Sequence, residues 1–287
     1  MDYFSPEQDG KLRALIRSMG QQAESMTRAS FQVIQKGPED YVTDIDRALD
    51  RELTQRFRQW FPDDGLVTEE NPDSRAAYAS GYDRTWFIDP LDGTDSFIQG
   101  TGDYAVMVGL LRQNLPVGGW VYSPSADILH FGGPGWGLYS MQGDAAPKPV
   151  PTMLPPQLSA DCCPIMIGYR DQRQHGAAIT EAIPEAQFYS LGSFGLKVIE
   201  VIRGKVGLYL YLNGRVKLWD TTGPIALARA AGLMCCDLWG RPLRFTPDAV
   251  DPITLAHHQT ILVGWRPYME ALQPRLLRAL EGQVTQE

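Results

Sequence analysis

The chain has 287 residues, 44% hydrophobic and 21% charged, enough for one large domain or two of ordinary size. Its formal net charge of −8 argues against a general nucleic-acid binder, because affinity for nucleic acid comes mainly from cations that neutralise phosphates. It has no run of the roughly 18 apolar residues that span a membrane, and its N-terminus does not resemble a signal peptide. We therefore expect a cytoplasmic protein without a membrane or nucleic-acid partner.

The N-terminal part is predicted to combine helices and strands. Apolar residues at helical spacing predict amphipathic helices over residues 7–30 and 43–60, and short apolar runs predict strands at 66–68 and 86–88. Between residues 104 and 141, four short runs separated by Gly, Pro and Asn predict an antiparallel meander.

A cluster of prolines between residues 147 and 156 marks the predicted boundary between two subdomains. Residues 1–150 would form an α+β subdomain, and residues 151–287 an α/β subdomain, because strands and helices alternate there. The predicted strands are 165–167, 188–189, 206–212 and 261–263, and the predicted helices are 194–202, 221–231 and 267–280.

The strongest functional signal is the run Asp89-Pro90-Leu91-Asp92-Gly93-Thr94, directly after the predicted strand at 86–88. It places two carboxylates three residues apart where the chain must turn. The following Gly-Thr opens the backbone, so that amide N–H groups can face an anion. Carboxylates for a hard cation beside amides for a phosphate indicate metal-assisted phosphoryl chemistry.

Three further acidic residues, Asp46, Glu69 and Asp220, also stand at the ends of predicted elements. Together with the two motif aspartates they could hold a two-metal clamp around a phosphate. Each also has a structural interpretation. Asp46 can be the capping-box partner of Thr43, Glu69 can belong to a solvated loop, the motif aspartates can be turn formers, and Asp220 can be a helix N-cap.

The run WFIDPLDGTDSF closely resembles the signature of the inositol monophosphatase-like, magnesium-dependent, lithium-sensitive phosphatase superfamily. Three further elements of that pattern occur in order: Val42–Asp46, the pair Glu69–Glu70, and Trp219–Gly232. The resemblance implies a layered αβαβα sandwich with the site between the two subdomains. It also implies two or three Mg²⁺ ions as the cofactor and leaves open whether the protein is a monomer or a homodimer.

The same resemblance implies a set of metal ligands. Glu69, Asp89 and the backbone carbonyl of Leu91 would hold a first ion, and Asp89, Asp92 and Asp220 would hold a second.

It likewise implies that Asp46, Glu69 and Thr94 are the catalytic residues. Thr94 and Asp46, hydrogen-bonded to each other, would orient and deprotonate the attacking water. The amides of Gly93 and Thr94 would cradle the phosphate at the start of a short helix.

The C-terminal half resembles the bisphosphate nucleotidase branch of the superfamily, in the run Gly192–Ile199 and the run Lys217–Thr221. Inositol monophosphatases carry a carboxylate where this chain has Asn213. Lys197 would contact the phosphate or ribose of a nucleotide, and Arg170 is either a second phosphate contact or an ordinary surface arginine. The expected substrate contacts are Asp92, Gly93, Thr94, Arg170, Ser193, Lys197 and Asp220.

The first functional hypothesis is a magnesium-dependent phosphomonoesterase that hydrolyses 3′-phosphoadenosine 5′-phosphate to AMP and phosphate. The alternative is an inositol monophosphatase or fructose bisphosphatase of the same superfamily. A more remote alternative is a non-catalytic sensor of a phosphorylated metabolite.

Overall fold

The computed structural model describes residues 5–27, 31–37 and 40–284. The helices are α1 (Pro6–Met26), α2 (Asp44–Trp60), α3 (Thr94–Gln99), α4 (Tyr169–Ala182), α5 (Phe194–Ile202), α6 (Leu218–Ala230) and α7 (Arg266–Leu280). The strands are β1 (Val33–Gly37), β2 (Asp40–Thr43), β3 (Gly65–Thr68), β4 (Arg84–Asp92), β5 (Ala105–Arg112), β6 (Leu115–Ser123), β7 (Ile128–Gly133), β8 (Gly137–Gln142), β9 (Lys148–Pro149), β10 (Cys163–Ile167), β11 (Ala186–Tyr189), β12 (Leu208–Tyr211), β13 (Met234–Cys236) and β14 (Ile261–Gly264). In these described ranges no helix has the length and apolar character needed to cross a bilayer.

Two large sheets organise the molecule. The first follows the chain from β3 to β9. Strands β3 and β4 are parallel. Strands β5 to β8 form the predicted antiparallel meander, and β4 and β9 extend it at either end. The second has the order β11-β10-β12-β14-β13, in which β10, β11 and β12 are parallel and β14 is antiparallel to both of its neighbours.

Three hydrophobic cores hold five layers together, and the middle core covers both faces of its helical layer. One core packs α1 and α2 on the outer face of the first sheet. A second core places α5 and α6 between the two sheets, and a third packs α4 and α7 on the outer face of the second sheet. The αβαβα sandwich expected from the resemblance is therefore confirmed. The division into subdomains at residue 150 stays a prediction, because both halves of the chain contribute to the middle core.

Helix ends follow the local sequence with two corrections. The predicted helix over 7–30 is observed as Pro6–Met26, and residues 28–30 lie outside the described part of the chain. The helix predicted to start near 221 begins at Leu218, because Lys217 is its N-cap. Asp220 is therefore not the N-cap. It is the third helical residue, and its carboxylate accepts a hydrogen bond from the Lys217 amide (2.6 Å).

Several strands and one helix were not predicted, namely β1, β2, β9, β13 and α4. The α4 sequence contains several charged and small residues, and Ile179 is its only large apolar residue that is buried, so it lacks a clear apolar stripe. In β1, Val33 and Ile34 are largely exposed, so this hairpin does not show an apolar face. Arg170 lies in the first turn of α4, the helix that was not predicted.

Three glycines allow α6 to lie directly on the first sheet. A Cβ atom added to Gly119 on β6 would stand 2.1 Å from the carbonyl oxygen of Gly223 on α6, and one added to Gly109 on β5 would stand 2.4 Å from the Gly223 amide nitrogen. In the other direction, a Cβ on Gly223 would stand 2.5 Å from the Val108 carbonyl oxygen. The backbone of α6, which carries Asp220, is therefore in contact with the sheet that carries Asp89.

We predict that Gly223→Ala lowers the thermal stability, because its methyl group meets backbone atoms that cannot move aside. The expected loss is about 1–3 kcal/mol, measured by thermal or urea unfolding. Gly10→Ala in α1 is the matched control, since no atom lies within 4 Å of its added Cβ. Its stability should stay level or rise by up to about 1 kcal/mol, and equal behaviour of the two variants would contradict the assigned contact.

Candidate active site

Three carboxylates meet at the ends of two elements. Asp89 and Asp92 end β4, and Asp220 lies in the first turn of α6; one oxygen of each lies within 4.8 Å of the others. Asp89 and Asp92 are buried, and Asp220 is half-buried. The register between β4 and β5 shifts between Asp89 and Asp92, and such an irregularity re-aims side chains at the end of a strand.

Backbone amides fix each carboxylate through one oxygen. Oδ1 of Asp89 accepts from the Leu91 amide (2.9 Å). Oδ2 of Asp92 accepts from the Gly195 amide (2.9 Å) and from the hydroxyl of Ser193. Oδ2 of Asp220 accepts from the amide of Lys217, as described above. The carboxylates are thus oriented by the fold rather than by one another.

Burial and mutual repulsion disfavour the charged form of these groups. Burial, and then the charges of Glu69, Asp92 and Asp220, raise the pKa of Asp89 well above its usual range. Burial also raises the pKa of Asp92, against its hydrogen bonds. Burial raises the pKa of Asp220 to about 7. The charge of Lys217 opposes this rise, and the charges of Glu69 and Asp92 add to it. Glu69 lies outside the set of three, but its charge acts on two of them.

These properties fit a divalent cation. Oxygen ligands from carboxylates are those that Mg²⁺ and Ca²⁺ prefer, and a cation would relieve the repulsion that raises the three pKa values. The residues positioned to hold it are Asp89, Asp92 and Asp220, with Glu69 beside them at the end of β3.

A second polar pair adjoins the carboxylates. The hydroxyl of Thr94 lies 3.2 Å from Oδ1 of Asp46 and 3.1 Å from the carbonyl oxygen of Leu91. Oδ2 of Asp46 accepts from the amide (2.8 Å) and the hydroxyl of Thr43, which completes a capping box at the start of α2. The structure therefore shows the capping box, and the other oxygen of the same carboxylate contacts Thr94, so the predicted catalytic role of the pair is compatible with the cap and stays a prediction.

The turn after Asp92 depends on glycine. Gly93 has φ 92°, and a Cβ there would stand 2.8 Å from the carbonyl oxygen of Asp103. This conformation starts the six-residue helix α3 at Thr94. The amides of Gly93 and Thr94 thus precede the first turn of a helix, where the sequence places a phosphate cradle. That role stays a prediction.

Ser193 and Lys197 belong to one local arrangement. Ser193 caps α5, accepting from the Leu196 amide (3.0 Å), and its hydroxyl donates to Asp92. The buried Lys197 ammonium donates to the carbonyl oxygens of Leu191 (2.9 Å) and Gly192 (3.1 Å). Burial lowers the pKa of Lys197 to about 8, opposed first by the charge of Asp92.

Lys197 therefore holds the loop that presents Ser193. An ammonium has three donors, and two of them are used on the loop carbonyls, so a direct contact of Lys197 with a substrate stays a prediction. Phe194 packs against Tyr209, with ring centroids 5.2 Å apart, inside the middle core.

A buried carboxylate that the sequence did not reveal supports Asn213. Asp171 accepts from the side-chain amide of Asn213 (3.0 Å) and from the backbone amide of Leu212 (2.9 Å). Asp171 was missed because α4 was not predicted. Arg170 is half-buried beside it, and its positive charge partly opposes the burial that raises the pKa of Tyr211. The charges of Asp220 and Asp171 also act on Tyr211, and both add to the rise of its pKa.

The sequence matches the inositol monophosphatase family over residues 9–282. Because the match spans nearly the whole chain, the protein belongs to that family. Family membership makes it a phosphoric monoester hydrolase by class, and the acidic cluster described above is the feature that such metal-dependent enzymes require.

Individual relatives differ in what their names state. A 3′-phosphoadenosine 5′-phosphate phosphatase of Mycobacterium bovis is 33% identical over 208 residues, which is 72% of each chain. A fructose-1,6-bisphosphatase/inositol-1-monophosphatase of Aquifex aeolicus is 29% identical over 240 residues, covering 82% of this chain and 86% of that one. A solved IMPase/NADP phosphatase, complexed with NADP and Ca²⁺, has a TM-score of 0.76 at 18% identity, covering 98% of this chain and 97% of that one, which shows a shared fold.

We predict that the metal-free protein loses stability as the pH rises from about 4 to about 7. The folded state keeps protons on carboxyls whose pKa is raised, while the unfolded chain releases them near 3.8, so deprotonation favours unfolding across this window. Melting temperatures in EDTA would measure it, and added Mg²⁺ should raise them most at the upper end. Asp220→Asn should flatten the pH dependence; a slope equal to that of the wild type would contradict the assigned repulsion.

Proposed function

We propose that the protein is a magnesium-dependent phosphomonoesterase that hydrolyses 3′-phosphoadenosine 5′-phosphate to AMP and inorganic phosphate. The observation that carries the proposal is the group of three carboxylates within 4.8 Å, next to the Thr94–Asp46 hydrogen bond. The first feature suits cations that neutralise a phosphate. The second feature supplies a hydroxyl oxygen, on Thr94, that can accept a hydrogen bond from the attacking water, and a carboxylate, on Asp46, that can accept its proton.

Mg²⁺ bound by Asp89, Asp92, Asp220 and Glu69, with the carbonyl of Leu91, would neutralise the phosphate and acidify water. Two or three ions are proposed, because these ligands offer more oxygen atoms than one ion needs.

The chain's own residues then orient the reactants. The hydroxyl of Thr94, donating to Oδ1 of Asp46, presents an oxygen lone pair that accepts a hydrogen bond from the attacking water. As the water oxygen attacks phosphorus and the ester P–O bond breaks, the water proton passes through Thr94 to Asp46. Burial raises the pKa of Asp46, which makes this carboxylate a better proton acceptor than an exposed one. The leaving oxygen takes a proton from solvent.

Backbone donors hold the phosphate during this step. The amides of Gly93 and Thr94 are placed before the first turn of α3, and the fixed turn at Gly93 keeps their direction without reorganisation. Ser193 donates to Asp92 and so keeps that carboxylate turned toward the site.

The choice of a nucleotide bisphosphate is supported by the region around α5 and by one relative. Asn213 replaces the carboxylate that the inositol monophosphatase pattern carries, and its amide is held by Asp171. The Mycobacterium bovis relative bears the name of the proposed activity. Ser193 and Lys197 occupy the Gly/Ser-Lys positions of the nucleotidase pattern. Arg170, in the first turn of α4, is the proposed second phosphate contact.

The named activities of the Aquifex aeolicus relative favour a second candidate, hydrolysis of fructose 1,6-bisphosphate or inositol 1-phosphate. We predict that kcat/KM is highest for adenosine 3′,5′-bisphosphate when initial rates on these three esters are compared with Mg²⁺. A preference for either sugar phosphate would overturn the substrate assignment and leave the phosphatase assignment in place. No metal-dependent hydrolysis of any of the three would instead favour a non-catalytic sensor.

We predict that Asp92→Asn lowers kcat by more than about a hundredfold. The amide oxygen can still accept from Gly195, so the fold is kept, but the negative charge for the cation is lost. Asp95→Asn, three residues along the same segment, is the matched control because Asp95 is exposed and contacts Gln99 (2.9 Å). Retained activity in Asp92→Asn, with unchanged melting behaviour, would refute the ligand assignment.

A further inference from the structure

A buried histidine outside the acidic site is hydrogen-bonded to the helix turn that carries Asp220. Nε2 of His257 lies 2.8 Å from the hydroxyl oxygen of Thr221, the residue that directly follows Asp220 in α6. Both side chains are buried. The proposed chemistry uses neither of them, and a polar contact at this depth next to a candidate metal ligand points to a supporting role.

The surrounding acceptors fix the direction of this hydrogen bond. The Thr221 hydroxyl lies 3.1 Å from the carbonyl oxygen of Lys217, which can only accept, so the single hydroxyl hydrogen is directed to that carbonyl. His257 must then donate from Nε2, and the neutral ring carries no proton on Nδ1. Two observations agree with this tautomer. Nδ1 is the ring nitrogen without a hydrogen-bond partner among the described residues, and burial lowers the pKa of His257 to about 3, with the charge of His258 adding to the shift.

Backbone contacts hold His257 in place beside α6. The segment ahead of it runs antiparallel to the start of the helix. The amide of His257 donates to the carbonyl oxygen of Val216 (2.9 Å). In the same pairing, the amide of Leu218 donates to the carbonyl oxygen of Leu255 (3.1 Å). The imidazole ring meets the ring of Phe245 at 84°, with centroids 5.1 Å apart, so the ring orientation is fixed by packing as well.

The hydrogen bond to Thr221 acts on the turn that aims Asp220. The carbonyl of Lys217 accepts from the Thr221 hydroxyl, and the amide of Lys217 donates to Oδ2 of Asp220 (2.6 Å). Both polar groups of Lys217 are therefore tied to this turn, and holding the Thr221 hydroxyl limits the movement of the Asp220 carboxylate. Partners that orient a ligand in this way raise metal affinity, because the site reorganises less when the ion binds.

We propose that His257 is a positioning residue for the cation site, which holds the Thr221 hydroxyl and through it the turn that directs Asp220 toward the cation. The inference rests on the proposed function, because it concerns the Mg²⁺ that the phosphatase would use. His257 lies 36 residues after Thr221 and outside the four motifs of the sequence resemblance.

The test measures Mg²⁺ binding directly, by isothermal titration calorimetry without substrate. H257L keeps an apolar side chain but removes the donor, and its dissociation constant for Mg²⁺ should rise about tenfold. H257Q, whose side-chain amide can place an N–H near the position of Nε2, should keep most of the wild-type affinity. H130L, which removes a buried histidine from β7, is the matched control and should bind Mg²⁺ as the wild type does.

A double-mutant cycle separates positioning from general destabilisation. T221V removes the same contact, so H257L should cost little further Mg²⁺ affinity in the T221V background, whereas independent effects would multiply. T221S keeps the hydroxyl and should bind Mg²⁺ nearly as the wild type does. With saturating Mg²⁺, kcat of H257L on the ester that the wild type prefers should fall by a smaller factor than its Mg²⁺ affinity.

The possible failures are distinct. Wild-type Mg²⁺ affinity in H257L, or equal losses with and without the Thr221 hydroxyl, would overturn the positioning role and leave the proposed function in place. If H257L does not fold, T221V is compared with T221S, and wild-type affinity in T221V overturns the role. Absence of Mg²⁺ binding by the wild type would overturn the proposed function, and the inference with it.

Discussion

The candidate site depends on one constraint, which is that three carboxylates are held close together against their mutual repulsion. Asp89, Asp92 and Asp220 stand within 4.8 Å of one another, and burial raises the pKa of each. Such a group is unfavourable without a counter-charge, and it persists because backbone amides and the surrounding layers determine where each side chain points. The close carboxylates thus lower the stability of the metal-free fold, and a bound cation would restore it. Functional sites commonly cost stability in this way.

The five-layer architecture brings these groups together from distant parts of the sequence. The first sheet delivers Asp89 and Asp92 at the end of β4, and the middle helices deliver Asp220 and Ser193 from the other half of the chain. The outer helix α2 contributes Asp46 from its first turn, where a capping box fixes it. Each residue comes from an element end that is itself anchored by packing, so the site inherits the rigidity of three cores.

The acidic motif could be found in the sequence because its signals are local: a buried strand, two spaced aspartates and a glycine turn. The structure brings its two aspartates together with Asp220, and their role as metal ligands stays a prediction. The sequence also predicted the layers, through a resemblance rather than through periodicity. It failed where tertiary packing decides. Helix α4 has a weak apolar pattern, so Asp171 and its contact with Asn213 stayed hidden.

The glycine contacts between α6 and the first sheet have a mechanical consequence. At Gly109, Gly119 and Gly223 the backbone of α6 contacts the backbone of the sheet directly, with no side chain between them. The helix therefore cannot shift along the sheet or rotate against it without a backbone clash. Asp220 therefore cannot swing away from its neighbours as a residue on a hinged lid could.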